Sequence, residues 1–142
     1  MPAIETSGII WPDTASYRIL LIDDDPVNNL ICESLIKKFG AACQVFSFLS
    51  AYEALEWLQL QSQDNWPDLI FLDLNMPRMD GWDFLEHLRE LPPAEAVSVK
   101  ILSSSVCEDD LERASSHELV DDYLVKPLTI EHLSCLLPVM AA

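Results

Sequence analysis

Basic residues are scarce in this chain. Lysine and arginine together number 8 against 24 aspartates and glutamates, for a formal net charge of −16. A surface of that sign repels duplex DNA and anionic lipid, so neither direct nucleic-acid binding nor membrane insertion is expected. A basic partner or a bound metal cation fits better, and part of the acid excess also serves solubility. Zinc-ligand spacing is missing as well. The four cysteines, Cys32, Cys43, Cys107 and Cys135, form no C-x-x-C pair and are joined by no closely spaced histidine pair. They read as small, reduced, buried hydrophobes, which points to a cytoplasmic setting. The N-terminus has no basic start and no apolar stretch, which excludes a secretory signal. Aliphatic runs such as residues 19–22 are far too short to span a membrane. Internal repeats, low-complexity tracts and a second domain are also lacking.

What is there is a chain of 142 residues, half of them apolar, which suffices for one domain with a real core. Residues 1–17 carry Pro2, Gly8 and Pro12 without a clear period and read as an extended or loosely packed arm, with Trp11 placed to pin it to the body. Residues 18–138 form the domain, and 139–142 a short tail.

Within the domain, 18–23 (R-I-L-L-I-D) is a continuous aliphatic run of the kind buried on both faces of a sheet. Asp25 as cap, Pro26 at the first helical position and Gly40 as the stop frame a helix with Val27, Leu30, Ile31 and Leu35 at helical spacing. A second strand spans 43–48, and Ser50 opens a capping box with Glu53 ahead of a second helix. Residues 59–66 are polar loop, and 68–73 (D-L-I-F-L-D) is a third strand. Asn75 to Gly81 is loop chemistry, with Asp80-Gly81 as a turn. A helix follows over 82–91 and stops at Pro92-Pro93. A fourth strand spans 99–102, a polar helix 108–119, and a short fifth strand 123–125. Thr129 caps a last helix through about Leu137. The order is βα five times over, which predicts an α/β fold with a doubly wound, five-stranded parallel sheet.

In such a sheet, ligands bind beyond the carboxyl ends of the strands. Those ends carry Asp23-Asp24, Asp73, Ser103 and Lys126. A lone strand-terminal aspartate is ordinarily a cap or turn residue. Acids after two strands, a hydroxyl after the fourth and a lysine after the fifth are less easily a coincidence. Clustered carboxylates raise one another's pKa unless a cation sits among them, and their oxygens suit a hard ion. The combination reads as a magnesium-dependent phosphoryl site.

With these residues in hand, the sequence resembles the receiver domain of two-component response regulators. The matches are I-D-D-D-P at 22–26, L-D-L-N-M-P-R-M-D-G at 72–81, L-S-S-S at 102–105 and Y-L-V-K-P at 123–127. The resemblance implies a flavodoxin-like (βα)5 fold and a phosphoacceptor aspartate, Asp73, charged by a histidine kinase or a histidine phosphotransfer protein. It implies Mg²⁺, or Mn²⁺ in its place, held by Asp24, Asp73 and the backbone carbonyl of Asn75, with Asp23 acting through a water. Asp25 is left as the helix cap. Lys126 would pair with Asp73 and then with the phosphoryl group. Ser103, where many receivers have threonine, would donate to a phosphoryl oxygen, and the backbone N–H of Ser104 would add a donor. Tyr123 falls at the family's switch aromatic and works with Ser103. Asn75 and Ser105 fall at positions that tune hydrolysis. Pro127 falls at a cis-peptide position that would aim Lys126 inward.

Such a protein is a switch rather than a turnover enzyme. The chain stops just after its fifth helix, so the expectation is a stand-alone receiver that signals to an unidentified downstream protein through the face of the fourth helix, fifth strand and fifth helix. A phosphorelay intermediate or a phosphate sink is the alternative. An aspartyl-nucleophile phosphatase is disfavoured because Asn75 stands where those enzymes carry an acid. A degenerate receiver is disfavoured by the presence of Asp24, Asp73, Ser103 and Lys126. His87, His117 and His132 read as solvated helix-face residues.

Overall fold

The computed structural model describes residues 3–4, 10–11, 17–39 and 43–136. Two short strands, β1 (Ala3–Ile4) and β2 (Ile10–Trp11), pair antiparallel, so the arm contains a small ribbon. The side chain of Trp11, Gly40 and Leu137 lie outside the described residues.

The body follows the expected alternation: β3 (Arg18–Ile22), α1 (Pro26–Phe39), β4 (Gln44–Phe48), α2 (Ala51–Leu60), β5 (Leu69–Leu72), α3 (Gly81–Arg89), β6 (Ser98–Ser103), α4 (Glu108–Ser116), β7 (Val120–Val125) and α5 (Ile130–Leu136). All five strands are parallel in the order β4-β3-β5-β6-β7. Single 3-10 turns at Gln63–Asn65 and Pro92–Ala96 occupy segments read as loop or helix stop.

Alternation along the strands divides the interior into two cores. Leu20, Ile22, Ile70 and Leu72 face α2, α3 and α4, while Ile19, Leu21, Leu69 and Phe71 face α1 and α5. Because both faces of β3 and β5 are covered, their sequences read as unbroken apolar runs. Truncating one such leucine to alanine costs roughly 2–5 kcal/mol.

The helix α1 forms as expected, and two other expectations are corrected. The buried side of α1 is Asn29, Cys32 and Ile36; Val27, Leu30 and Ile31 are exposed. The Asp25 cap and Pro26 fix the helix phase so that Asn29 turns inward, donating to the carbonyl of Asp23 at 3.0 Å. The polar helix ends at Ser116 rather than 119, because Nδ1 of His117 accepts from Leu119 N–H and ends the turn, and β7 begins at Val120. Cys107 and Cys135 are exposed, and only Cys32 and Cys43 are buried. Burial first, then the charges of Asp23 and Asp68 respectively, pushes both buried thiols up to about 11, which keeps them protonated.

Candidate phosphoryl and divalent-cation site

Sheet register brings the acids together. Ile22 lies beside Leu72 in the paired strands, so the next residue on each, Asp23 and Asp73, emerges at the same edge. Asp73 N–H donates to the carbonyl of Ile22 at 2.9 Å, and Asp23 N–H to that of Phe48 at 3.2 Å. Both side chains are buried, whereas Asp24 is exposed at the rim. Carboxylate oxygens of Asp23, Asp24 and Asp73 all lie within 4.8 Å of one another. Asp25 stands apart from this cluster, its Oδ1 accepting from Val27 N–H at 3.0 Å and Asn28 N–H at 3.4 Å, as the helix cap requires.

Lys126 reaches the same spot from the far side of the sheet. Its N–H donates to the carbonyl of Ser103 at 2.9 Å, which ties the end of β7 to the end of β6. Its Nζ sits 2.6 Å from Asp23 Oδ2 and 3.8 Å from Asp73 Oδ1. The Lys126-Pro127 peptide is cis, as expected. Burial works to lower the lysine's pKa, but the Asp23 hydrogen bond and the charges of Asp73 and Asp23 outweigh it and hold the ammonium above its ordinary range. Asp73 is pushed up to about 6, first by burial and then by Asp23, with a smaller contribution from Asp24. Lys126 and the Asn75 N–H, which hydrogen-bonds its carboxylate, pull the other way. A carboxylate cluster that one lysine only partly compensates fits a hard divalent cation.

Ser103 is fully buried at the end of β6, and its Oγ accepts from Ser105 N–H at 3.1 Å. Ser104 and Asn75 are exposed just beyond the ends of their strands. Tyr123 is half-buried, and its hydroxyl donates to the carbonyl of Ser105 at 2.8 Å. Gly81 closes the loop beyond Asp73: its N–H donates to the Leu74 carbonyl at 2.9 Å, and a Cβ there would lie 2.6 Å from the Asp73 carbonyl. Asp80, read as a turn residue, also caps α3 in a reciprocal box with Asp83.

Residues 19–137 match the response regulator receiver domain. The chain belongs to the response regulator receiver family. The probable methanogenesis regulatory protein FilR2 of Methanothrix harundinacea is 29% identical over 129 residues, 89% of this chain and 83% of that protein. Protein PilG of Pseudomonas aeruginosa is 30% identical over 118 residues, 82% of this chain and 81% of that protein. The chain spans 49% of the probable C4-dicarboxylate response regulator DctR of Halalkalibacterium halodurans. Among solved structures, a two-component response regulator from Cytophaga hutchinsonii superposes with a TM-score of 0.79 at 31% identity, covering 88% of this chain and 97% of that one. The Mn²⁺-bound form of response regulator Rcp1 does so with a TM-score of 0.66 at 30% identity, covering 82% and 86%.

Several contacts in this receiver escape a reading by motif. Asn28 Nδ2 donates to Asp23 Oδ2 at 2.8 Å, steadying the acid from outside the cluster. Asn29 holds the Asp23 backbone. Asp110, on α4, binds both Ser105 and Trp82. The Asn28-Asn29 pair was visible in sequence, but its role depends on the phase of α1. Of the histidines, His87 is exposed, whereas His117 lies just past α4 with its ring against Glu86, and His132 accepts from Thr129 N–H in the cap of α5. Among the described residues, no helix is long and apolar enough to cross a membrane.

Proposed function

We propose that this chain is a phosphoacceptor switch whose acceptor is Asp73. The single observation that supports this most is the meeting of Asp23, Asp24, Asp73 and Lys126 at one sheet edge. A carboxylate oxygen of Asp73 attacks the phosphorus of a phosphohistidine in line. The new P–O bond forms as the P–N bond breaks, and its electron pair stays on the departing imidazole nitrogen. The ammonium of Lys126 swings from Asp23 toward the transferred group and offsets its charge. Ser103 donates its hydroxyl hydrogen to one phosphoryl oxygen, and Ser104 N–H reaches another. Asp24, Asp73 and the Asn75 carbonyl would hold Mg²⁺ or Mn²⁺, with Asp23 through a water. When bound, that ion supplies positive charge between the acids and the incoming phosphoryl oxygens.

The donor is a histidine kinase or a histidine phosphotransfer protein. Val27, Leu30 and Ile31 on α1, the helix that follows Asp23–Asp25, and Leu49 after β4 are exposed apolar side chains, which suits contact with such a protein. Ser103 and Tyr123 relay the modified state to the face of α4, β7 and α5, where a downstream protein reads it.

Incubation with Mg²⁺ and acetyl phosphate, followed by intact-mass measurement, tests the reading. One added phosphoryl group, lost in Asp73→Asn, is the expected result. Labelling that persists in Asp73→Asn, or none in the wild type, would overturn it.

A further inference from the structure

We infer that Asp110 is a positioning residue for the phosphoryl reaction, acting on Ser103 through Ser105; this rests on the reading of Asp73 as acceptor. The first turn of α4 carries Glu108, Asp109 and Asp110. Any of the three would favour the helix N-terminus electrostatically. Glu108 and Asp109 are exposed, whereas Asp110 is half-buried and uses both oxygens. Its Oδ2 accepts from the Ser105 hydroxyl at 3.0 Å, and its Oδ1 accepts from the Trp82 indole N–H at 3.3 Å.

Ser105 is thereby fixed at every polar atom. Its hydroxyl donates to Asp110 and accepts from Cys107 N–H at 3.2 Å, its carbonyl accepts from Tyr123, and its N–H donates to Ser103 Oγ. A hydroxyl has one hydrogen and two lone pairs. With Ser105 N–H occupying one lone pair, Ser103 keeps its hydrogen available to donate toward an acceptor such as a phosphoryl oxygen.

The other end of the link is anchored near the acceptor. Trp82 is buried, and Arg113 of α4 lies over its ring with Cζ 4.5 Å from the centroid. Trp82 follows Gly81, whose N–H is bonded to the carbonyl of Leu74, the residue next to Asp73. Asp110 thus joins the loop after β6 to the first turn of α3, which Gly81 ties to the residue after Asp73, by a route separate from the sheet. Displacing Ser103 toward a phosphoryl group pulls on Ser105 and therefore on the Trp82 N–H.

The test has two arms. In unphosphorylated protein, the indole N–H resonance of Trp82, assigned with Trp82→Phe, is expected to move in both Ser105→Ala and Asp110→Asn. A resonance unmoved in Ser105→Ala refutes the link on its own, whether or not Asp73 accepts phosphate. In the second arm, the labelling rate with acetyl phosphate is expected to fall about tenfold in Asp110→Asn, with Mg²⁺ affinity within about twofold of wild type. Equal labelling rates overturn the positioning role. A wild type that takes no label overturns the Asp73 reading and the positioning role with it, and the first arm then shows whether the link itself exists.

Discussion

Lys126 Nζ lies closer to Asp23 than to Asp73, at 2.6 Å against 3.8 Å. The ammonium therefore serves first as counter-ion to Asp23, the acid beside Asp73. Replacing it leaves two buried carboxylates facing each other. Lys126→Met is expected to lose roughly 3–5 kcal/mol of stability at neutral pH without divalent ions, by urea denaturation. Mg²⁺ should restore most of that loss, and labelling should remain slow even when the ion is saturating.

Stability should fall with rising pH on account of Asp73. Its pKa in the fold is about 6 against an ordinary 3.8. Between those values the folded state holds the proton more tightly than the unfolded chain does. The contribution is full below about pH 4 and is lost as pH rises through 6. Without divalent ions, Asp73→Asn should therefore be more stable than wild type at pH 7–8, by at most roughly 3 kcal/mol. The difference should vanish near pH 4, measured as thermal midpoints across the series.

Asn28 touches the cluster only through Asp23, at 2.8 Å. Removing such an outer partner ordinarily costs about 10–100-fold in metal affinity. Asn28→Ala should weaken Mg²⁺ binding toward the lower end of that range, by calorimetric titration. Labelling at saturating Mg²⁺ should stay near the wild-type rate. An unchanged affinity would show that Asp23 is held well enough by Lys126 and its backbone.

Gly81→Ala should be costly because the clash is with backbone, the Asp73 carbonyl at 2.6 Å and Leu74 Cα at 2.9 Å. Neither atom can swing aside as a flexible side chain would. A loss of about 1–3 kcal/mol by chemical denaturation is expected, together with slower labelling as the loop after Asp73 shifts. Wild-type behaviour on both counts would mean that α3 can slide outward.

Legibility from sequence followed burial. The runs at β3 and β5 announced themselves because both of their faces are covered, and their register alone carries Asp23 to Asp73. Only 123–125 of β7 read as strand, because it is an edge strand in which the exposed Asp121 and Asp122 interrupt the apolar pattern. The spacing of Val27, Leu30 and Ile31 marks α1 as a helix but not its buried face, because Asn29 takes the inward position to serve the backbone of Asp23. Asp110 gave no signal, since its neighbours Ser105 and Trp82 come from two other segments that only the fold brings together.

Asp73 stands at the tip of the middle strand, with β3 and β6 bonded on either side. Its backbone is clamped like an anvil. Beside it stand the lysine's arm and the short span from Ser103 to Cys107, which hydrogen bonds tie to α4 and β7. Any displacement of that span is expected to reach the flank of the molecule that bears α4 and β7, through Asp110 and Tyr123.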